Sequence, residues 1–200
     1  MSHRPSAREV AEQDRFLLLR QKSFRAAADA VTANFVPFAE VQRVALFGSV
    51  ARPLKREVPR FQPYRRLGIE LLHECKDVDL AVWLTDFAGL SDLGRARNQA
   101  VSDVDSTAGP GVAHHQVDVF LLDFATDKYV GRLCWFASCP KGKPECRVLS
   151  CGETELLRQH EDFIFADDAL TDAVVLFDRQ SGSKSLATQL PSGAGARRRS

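Results

Sequence analysis

The chain has 200 residues, 44% of them hydrophobic and 26% charged, with a formal net charge of +1 at pH 7. That composition suits one domain with a real core, or one domain plus a small appendage; it argues against two full domains and against a protein that coats nucleic acid by overall charge. No run of about 18 apolar residues is present to span a membrane, and Met1-Ser2-His3-Arg4-Pro5-Ser6 lacks the apolar stretch of a signal peptide, so a cytoplasmic location with no membrane partner is expected.

Ser6-Ala7-Arg8-Glu9 fits a capping box, in which serine and glutamate satisfy the first free N–H groups of a helix. Val10, Leu17, Phe24 and Val31 recur at heptad spacing, with Ala28 and Phe35 in the i+4 positions, so the helix presents an apolar face until about residue 34. Pro37 then ends it. Val44-Ala45-Leu46-Phe47 is a short apolar run stopped by Gly48, which predicts a buried strand entering a tight turn. Gly48 allows backbone to approach a ligand closely, and Ser49 adds a hydroxyl.

Residues 51–76 form a charged insertion carrying Arg52, Lys55, Arg56, Arg60, Arg65, Arg66 and Lys76 against Glu57, Glu70 and Glu74, with Phe61 and Tyr64 among them. Two readings stand. The segment holds a triphosphate or an RNA acceptor, since guanidinium groups pair with phosphates and aromatics stack on bases, or it is a solvated loop followed by a short helix over residues 67–75. Cys75 reads as a buried thiol.

Asp77-Val78-Asp79-Leu80-Ala81-Val82-Trp83-Leu84 predicts a second strand, on which Asp77 and Asp79 project from the same side. Two carboxylates so placed can share a hard divalent cation such as Mg2+. Leu93, Ala96, Ala100 and Val104 recur at helical spacing, predicting an amphipathic helix over residues 91–106, and Gly109-Pro110-Gly111 breaks the chain before a third strand at 116–122. Asp118 stands inside the apolar run Val117-Asp118-Val119-Phe120-Leu121-Leu122, and a buried carboxylate is costly without compensation, so a metal or a basic partner must answer it. His114 and His115, just before it, either touch a substrate or are plain exposed loop residues. Alternating strands and helices predict an α/β or α+β fold with helices packed on a mixed sheet.

The last third holds Cys134, Cys139, Cys146 and Cys151 within a short stretch interleaved with lysine, glycine and proline. Clustered thiols in a reducing compartment suit one tetrahedral Zn2+, with His160 as a substitute ligand; the x4 and x6 spacings differ from the common C-x2-C knuckle, and four partly buried thiols are the plain alternative. Residues 159–165 alternate as a short strand and 167–177 read as a closing helix. From Gln180 onward Ser, Gly, Thr and Pro prevail up to Arg197-Arg198-Arg199, a composition expected to stay disordered, whose basic end either grazes nucleic acid or is solvated. The domain expectation is therefore a main domain over 1–128, a Cys-rich appendage with its closing helix over 129–178, and a tail over 179–200.

Gly48-Ser49-Val50-Ala51-Arg52, then Asp77-x-Asp79 on a strand, then Asp118 on the next, resembles the nucleotidyltransferase superfamily related to DNA polymerase beta, and above all its minimal bacterial and archaeal members. The resemblance covers roughly residues 35–125, and the link between Ser49 and Asp77 is longer than in compact members. It implies a mixed sheet of the nucleotidyltransferase type. It also implies transfer of a nucleoside monophosphate from a triphosphate to an acceptor hydroxyl. Asp77 and Asp79 would bind the nucleotide-carrying Mg2+, and Asp118 would help hold a second ion beside the acceptor. Gly48, Ser49 and Arg52 would hold the nucleotide. The acceptor is open between protein, RNA and small molecule; some minimal members are antitoxins that modify a partner toxin. A nucleotidyltransferase-like scaffold that binds RNA or protein without catalysis is the rival expectation.

Overall fold

A computed structural model of the protein describes residues 4–104, 109–136, 153–159, 164–166 and 168–193. Its first element, helix α1 (Ala7–Phe35), starts at the predicted capping box, where Ser6 Oγ accepts from the Glu9 N–H and the Glu9 carboxylate accepts from the Ser6 N–H at 2.7 Å. The buried stripe of α1 runs through Leu17, Phe24, Ala28, Val31 and Phe35, as heptad spacing requires, but it also takes in Gln21 and Arg25.

Among the described residues nine strands follow in chain order: β1 (Val41–Phe47), β2 (Arg56–Glu57), β3 (Leu71–Leu72), β4 (Val78–Leu84), β5 (Val117–Asp123), β6 (Tyr129–Leu133), β7 (Leu157–Arg158), β8 (Val174–Asp178) and β9 (Ser183–Lys184). Seven of them make one sheet in the order β7-β6-β5-β4-β1-β8-β9, while β2 and β3 pair as a separate ribbon. Only β4 and β5 run parallel, joined through helix α4 (Leu90–Asp103); the other described pairings are antiparallel.

Strand alternation divides the side chains cleanly between two faces. Val44, Leu46, Leu80, Val82, Val119 and Leu121 point into the main core under α1 and α4. Ala45, Phe47, Ala81, Trp83, Phe120 and Leu122 form a smaller cluster on the opposite face, joined by Tyr129 and Phe165. The sheet is thus backed by helices on one side and carries its aromatic cluster on the other.

Several expected elements fall differently. In place of a helix over 67–75, helix α3 (Tyr64–Leu67) stops at Gly68, whose φ of +63° is the left-handed ending that glycine adopts without strain, and β3 then turns Leu71 and Leu72 into the core. The expected closing helix is replaced by turns and then β8, because Val174-Val175-Leu176-Phe177 is a β-favouring run and the free side of β1 accepts it. Beyond residue 128, β6, β7 and β8 all belong to the one sheet that contains β1.

The described part of the tail is held by polar contacts together with a small apolar anchor. Asp29 accepts from the Ala187 and Thr188 N–H groups, Ala187 is fully buried, and Arg25 donates to the Leu190 and Pro191 carbonyls. The expected strand over 159–165 does not form at its described positions, since β7 ends at Arg158 and residues 159, 164 and 165 belong to no strand; residues 160–163, His160 among them, lie outside the described residues, as does Arg197-Arg198-Arg199. Among the described residues no helix is long and apolar enough to cross a membrane.

Candidate functional site

The chain leaves β1 through Gly48, the first residue of the short helix α2 (Gly48–Ala51), at a φ of +72°. A Cβ at this position would lie 2.6 Å from Asp79 Oδ2, so the position needs glycine twice over, for its dihedral and for the carboxylate against it. Phe47 is the register partner of Asp79 on β4, and Asp79 is the register partner of Asp118 on the parallel strand β5. Asp77, just before β4, has the same parity. The topology therefore brings Gly48, Asp77, Asp79 and Asp118 together at one end of the face that the helices leave uncovered.

The turn is fastened from below. Arg25, only 1% exposed, donates to the Val50 carbonyl at 3.0 Å and the Arg52 carbonyl at 3.3 Å, and Gln21 donates to the Arg52 carbonyl at 2.7 Å. Burial pushes the Arg25 guanidinium down. The buried thiol of Cys75 neighbours Ser49, and burial pushes it up. Two helical side chains thus set where the Gly48-Ser49 turn sits.

Negative charge at the site exceeds its compensation. Burial, then the Asp118 and Asp77 carboxylates, push Asp79 up to about 6; burial and then Asp118 push Asp77 up as well. Arg132 on β6 opposes this. Its Nη1 donates to Asp118 Oδ2 at 3.0 Å while its guanidinium lies 4.3 Å from the Phe120 ring centre. Asp118, half-buried, thus has a basic partner. Among the described residues no three His, Cys, Asp or Glu side chains stand close enough to hold one metal ion together. Asp77 and Asp79 nonetheless fit one hard cation, because Mg2+ is commonly held by one or two carboxylates and completed by substrate phosphates and water. Asp118 is committed to Arg132, and a second ion there needs that pair to open.

A cavity of about 420 Å³ opens beside Ser49, Asp77 and Asp79, and its far wall is the arm formed by residues 51–76, including Arg60, Phe61 and Lys76. A larger one, about 730 Å³, lies elsewhere on the aromatic face among Trp83, Tyr129 and Phe165, and none of the three carboxylates lines it. The smaller cavity is the one that meets Asp77 and Asp79.

Other predicted residues fall away from this cluster. Arg52 pairs with Asp172 at 3.1 Å and does not line the carboxylate cavity. His114 and His115 are exposed on a short 3-10 turn, and His114 Nε2 lies 3.2 Å from Ser102 Oγ. Cys134 is buried in the main core, its N–H donating to the Leu156 carbonyl, whereas Cys139, Cys146 and Cys151 lie outside the described residues, and the zinc expectation with them. Sequence reasoning missed Arg132 and Arg25. For Arg25 a signal existed: it sits on the apolar stripe of α1, one turn after Gln21 and three residues before Ala28. No known protein family matches the chain, and neither does a curated protein or a solved structure.

Proposed function

We propose that the protein transfers a nucleoside monophosphate from a nucleoside triphosphate to an acceptor hydroxyl, in the manner of the minimal nucleotidyltransferases that its motifs resemble. The observation that carries this reading is the apposition of the bare Gly48 Cα to the Asp79 carboxylate, with Asp118 in register on the next parallel strand. Glycine there lets the Gly48-Ser49 turn and a phosphate chain share space beside the carboxylates. Bound Mg2+ supplies charge neutralisation at the phosphates and lowers the barrier to in-line displacement at the α-phosphorus. Asp77 and Asp79 hold the cation-bearing triphosphate, and the Ser49 hydroxyl meets a terminal phosphate oxygen. The acceptor oxygen forms a bond to the α-phosphorus as the bond to the bridging oxygen breaks, its proton passes to solvent or to Asp118, and pyrophosphate leaves.

Incubation of the protein with each of the four α-labelled triphosphates, Mg2+ and a cell extract as acceptor source tests this. Wild-type protein is expected to label an acceptor and Asp79→Asn to do so about a thousandfold more slowly, because positioning and charge neutralisation supply most of phosphoryl-transfer catalysis. Undiminished labelling by the variant, or none by wild type with any triphosphate, contradicts the reading. One observation favours a second reading, a scaffold that binds without transferring: Arg132 already neutralises Asp118, the carboxylate that would serve the acceptor side. Nucleotide binding without labelling is the result that selects it.

A further inference from the structure

The basic residues of the arm look alike in sequence, and the structure sorts them. Arg56 is bound to Asp14 at 2.5 Å and Arg52 to Asp172 at 3.1 Å, so both are spent on ion pairs. Of the seven cations in residues 51–76, only Arg60 and Lys76 line the carboxylate cavity, and neither has an ion pair among the described residues. The other charged side chains of the wall answer one another or a neighbour: His73 Nδ1 lies 2.9 Å from Glu57 Oε1, and Glu74 accepts from Arg20 at 3.1 Å. What remains is polarised, with two cations on the arm and the Asp77 and Asp79 carboxylates on the sheet. A ligand that suits both sides carries several negative charges and brings a cation with it.

The arm adds an apolar element. Phe61 follows Arg60 in the chain, remains 38% exposed and packs edge-on against Tyr64 with ring centres 5.5 Å apart. An exposed aromatic ring at the mouth of a charged cavity is a stacking platform for a planar base. The cavity, at about 420 Å³, falls within the roughly 300–1,000 Å³ of small-ligand sites.

We propose that the arm is the nucleotide clamp of this site: Arg60 and Lys76 contact the phosphate chain of a magnesium-bound nucleoside triphosphate, and Phe61 stacks on its base. This rests on the transferase reading for the identity of the ligand, and it gives the long link between Ser49 and Asp77 a purpose. Phosphate recognition resides in the two cations and base recognition in the ring, so the two halves are separable. Stacking is tolerant of base identity, so the clamp takes all four triphosphates with similar affinity.

The test is equilibrium binding of magnesium-ATP and, separately, of magnesium tripolyphosphate to wild type, Arg60→Ala, Lys76→Ala and Phe61→Ala, with the labelling assay run on the same four proteins. All three side chains are exposed, so the variants keep the fold. Arg60→Ala and Lys76→Ala are each expected to weaken both ligands about tenfold, as loss of a charge-assisted contact does. Phe61→Ala should weaken ATP about tenfold and leave tripolyphosphate unchanged. Wild-type affinities in all three variants overturn the clamp, as does a Phe61→Ala effect of equal size on tripolyphosphate. Labelling by wild type with unaltered KM in the variants removes the clamp and keeps the transferase. The expected binding pattern without any labelling keeps the clamp and removes the transferase.

Discussion

The two faces of the sheet treat buried charge in opposite ways. Under the helices, Arg25 donates to the carbonyls of Val50, Arg52, Leu190 and Pro191, and Asp14 accepts from the Leu72 N–H and from Arg56. Their charge is answered and their role is to hold elements together. On the opposite face Asp77, Asp79 and Asp118 lie together with Arg132 paired to Asp118, and burial, then the two neighbouring carboxylates, hold Asp79 at about 6. A charge that is buried and fully paired serves the fold, whereas a charge held in surplus where the helices leave the sheet uncovered is a place for something the protein must bind.

If that contrast holds, substitutions on the two faces have effects of opposite sign. The largest is expected at Arg25. Arg25→Met leaves the carbonyls of the Gly48-Ser49 turn and of the tail without their donor and should lower stability by about 3–5 kcal/mol, as read by urea unfolding; a loss below about 1 kcal/mol would break the comparison at its structural end. Asp79→Asn should act the other way. Between the ordinary carboxylate value near 4 and the folded value of about 6, the folded protein holds a proton that the unfolded chain releases, so stability falls as pH rises through that window and stays low above it. At about 1.4 kcal/mol for each tenfold in proton affinity, removal of the charge should raise the stability of the metal-free protein at pH 7 by about 3 kcal/mol, and the gain should vanish below pH about 4. A gain independent of pH would show that the carboxylate is not the cause.

Gly48→Ala probes the contact between the turn and the carboxylate. The left-handed backbone alone costs about 1–2 kcal/mol, and the new Cβ displaces Asp79, so a modest loss of stability should accompany a severe loss of nucleotide binding. Equal, small effects on both would place the turn outside the site. The smallest effect is expected at a position that belongs to neither face. Ser6→Ala removes the cap of α1 and should lower stability by about 1 kcal/mol with unchanged ligand binding.

How much of this was legible in sequence follows the same division. The periodicities of α1, β1, β4, α4 and β5 are strong because each buries an apolar stripe, and parity alone placed Asp77 and Asp79 on one side. The Asp79 to Asp118 register needed the parallel pairing of β4 with β5. Arg132 lies on a short strand and meets Asp118 only once β5 and β6 pair, so nothing local marks it. Arg60 and Lys76 are indistinguishable from their five basic neighbours until the arm folds over the cavity. The tail was misread because composition measures the apolar surface a segment can bury, and this one is held by Arg25 and Asp29.

The most direct measurement is the melting temperature of wild type and Asp79→Asn at pH 7 as Mg2+ is added from zero. A surplus of carboxylates that exists to receive a cation predicts that wild type starts lower, rises with Mg2+ in a saturable way, and closes the gap to a variant that Mg2+ leaves unmoved. A wild-type melt indifferent to Mg2+, or a rise of equal size in both proteins, would contradict it.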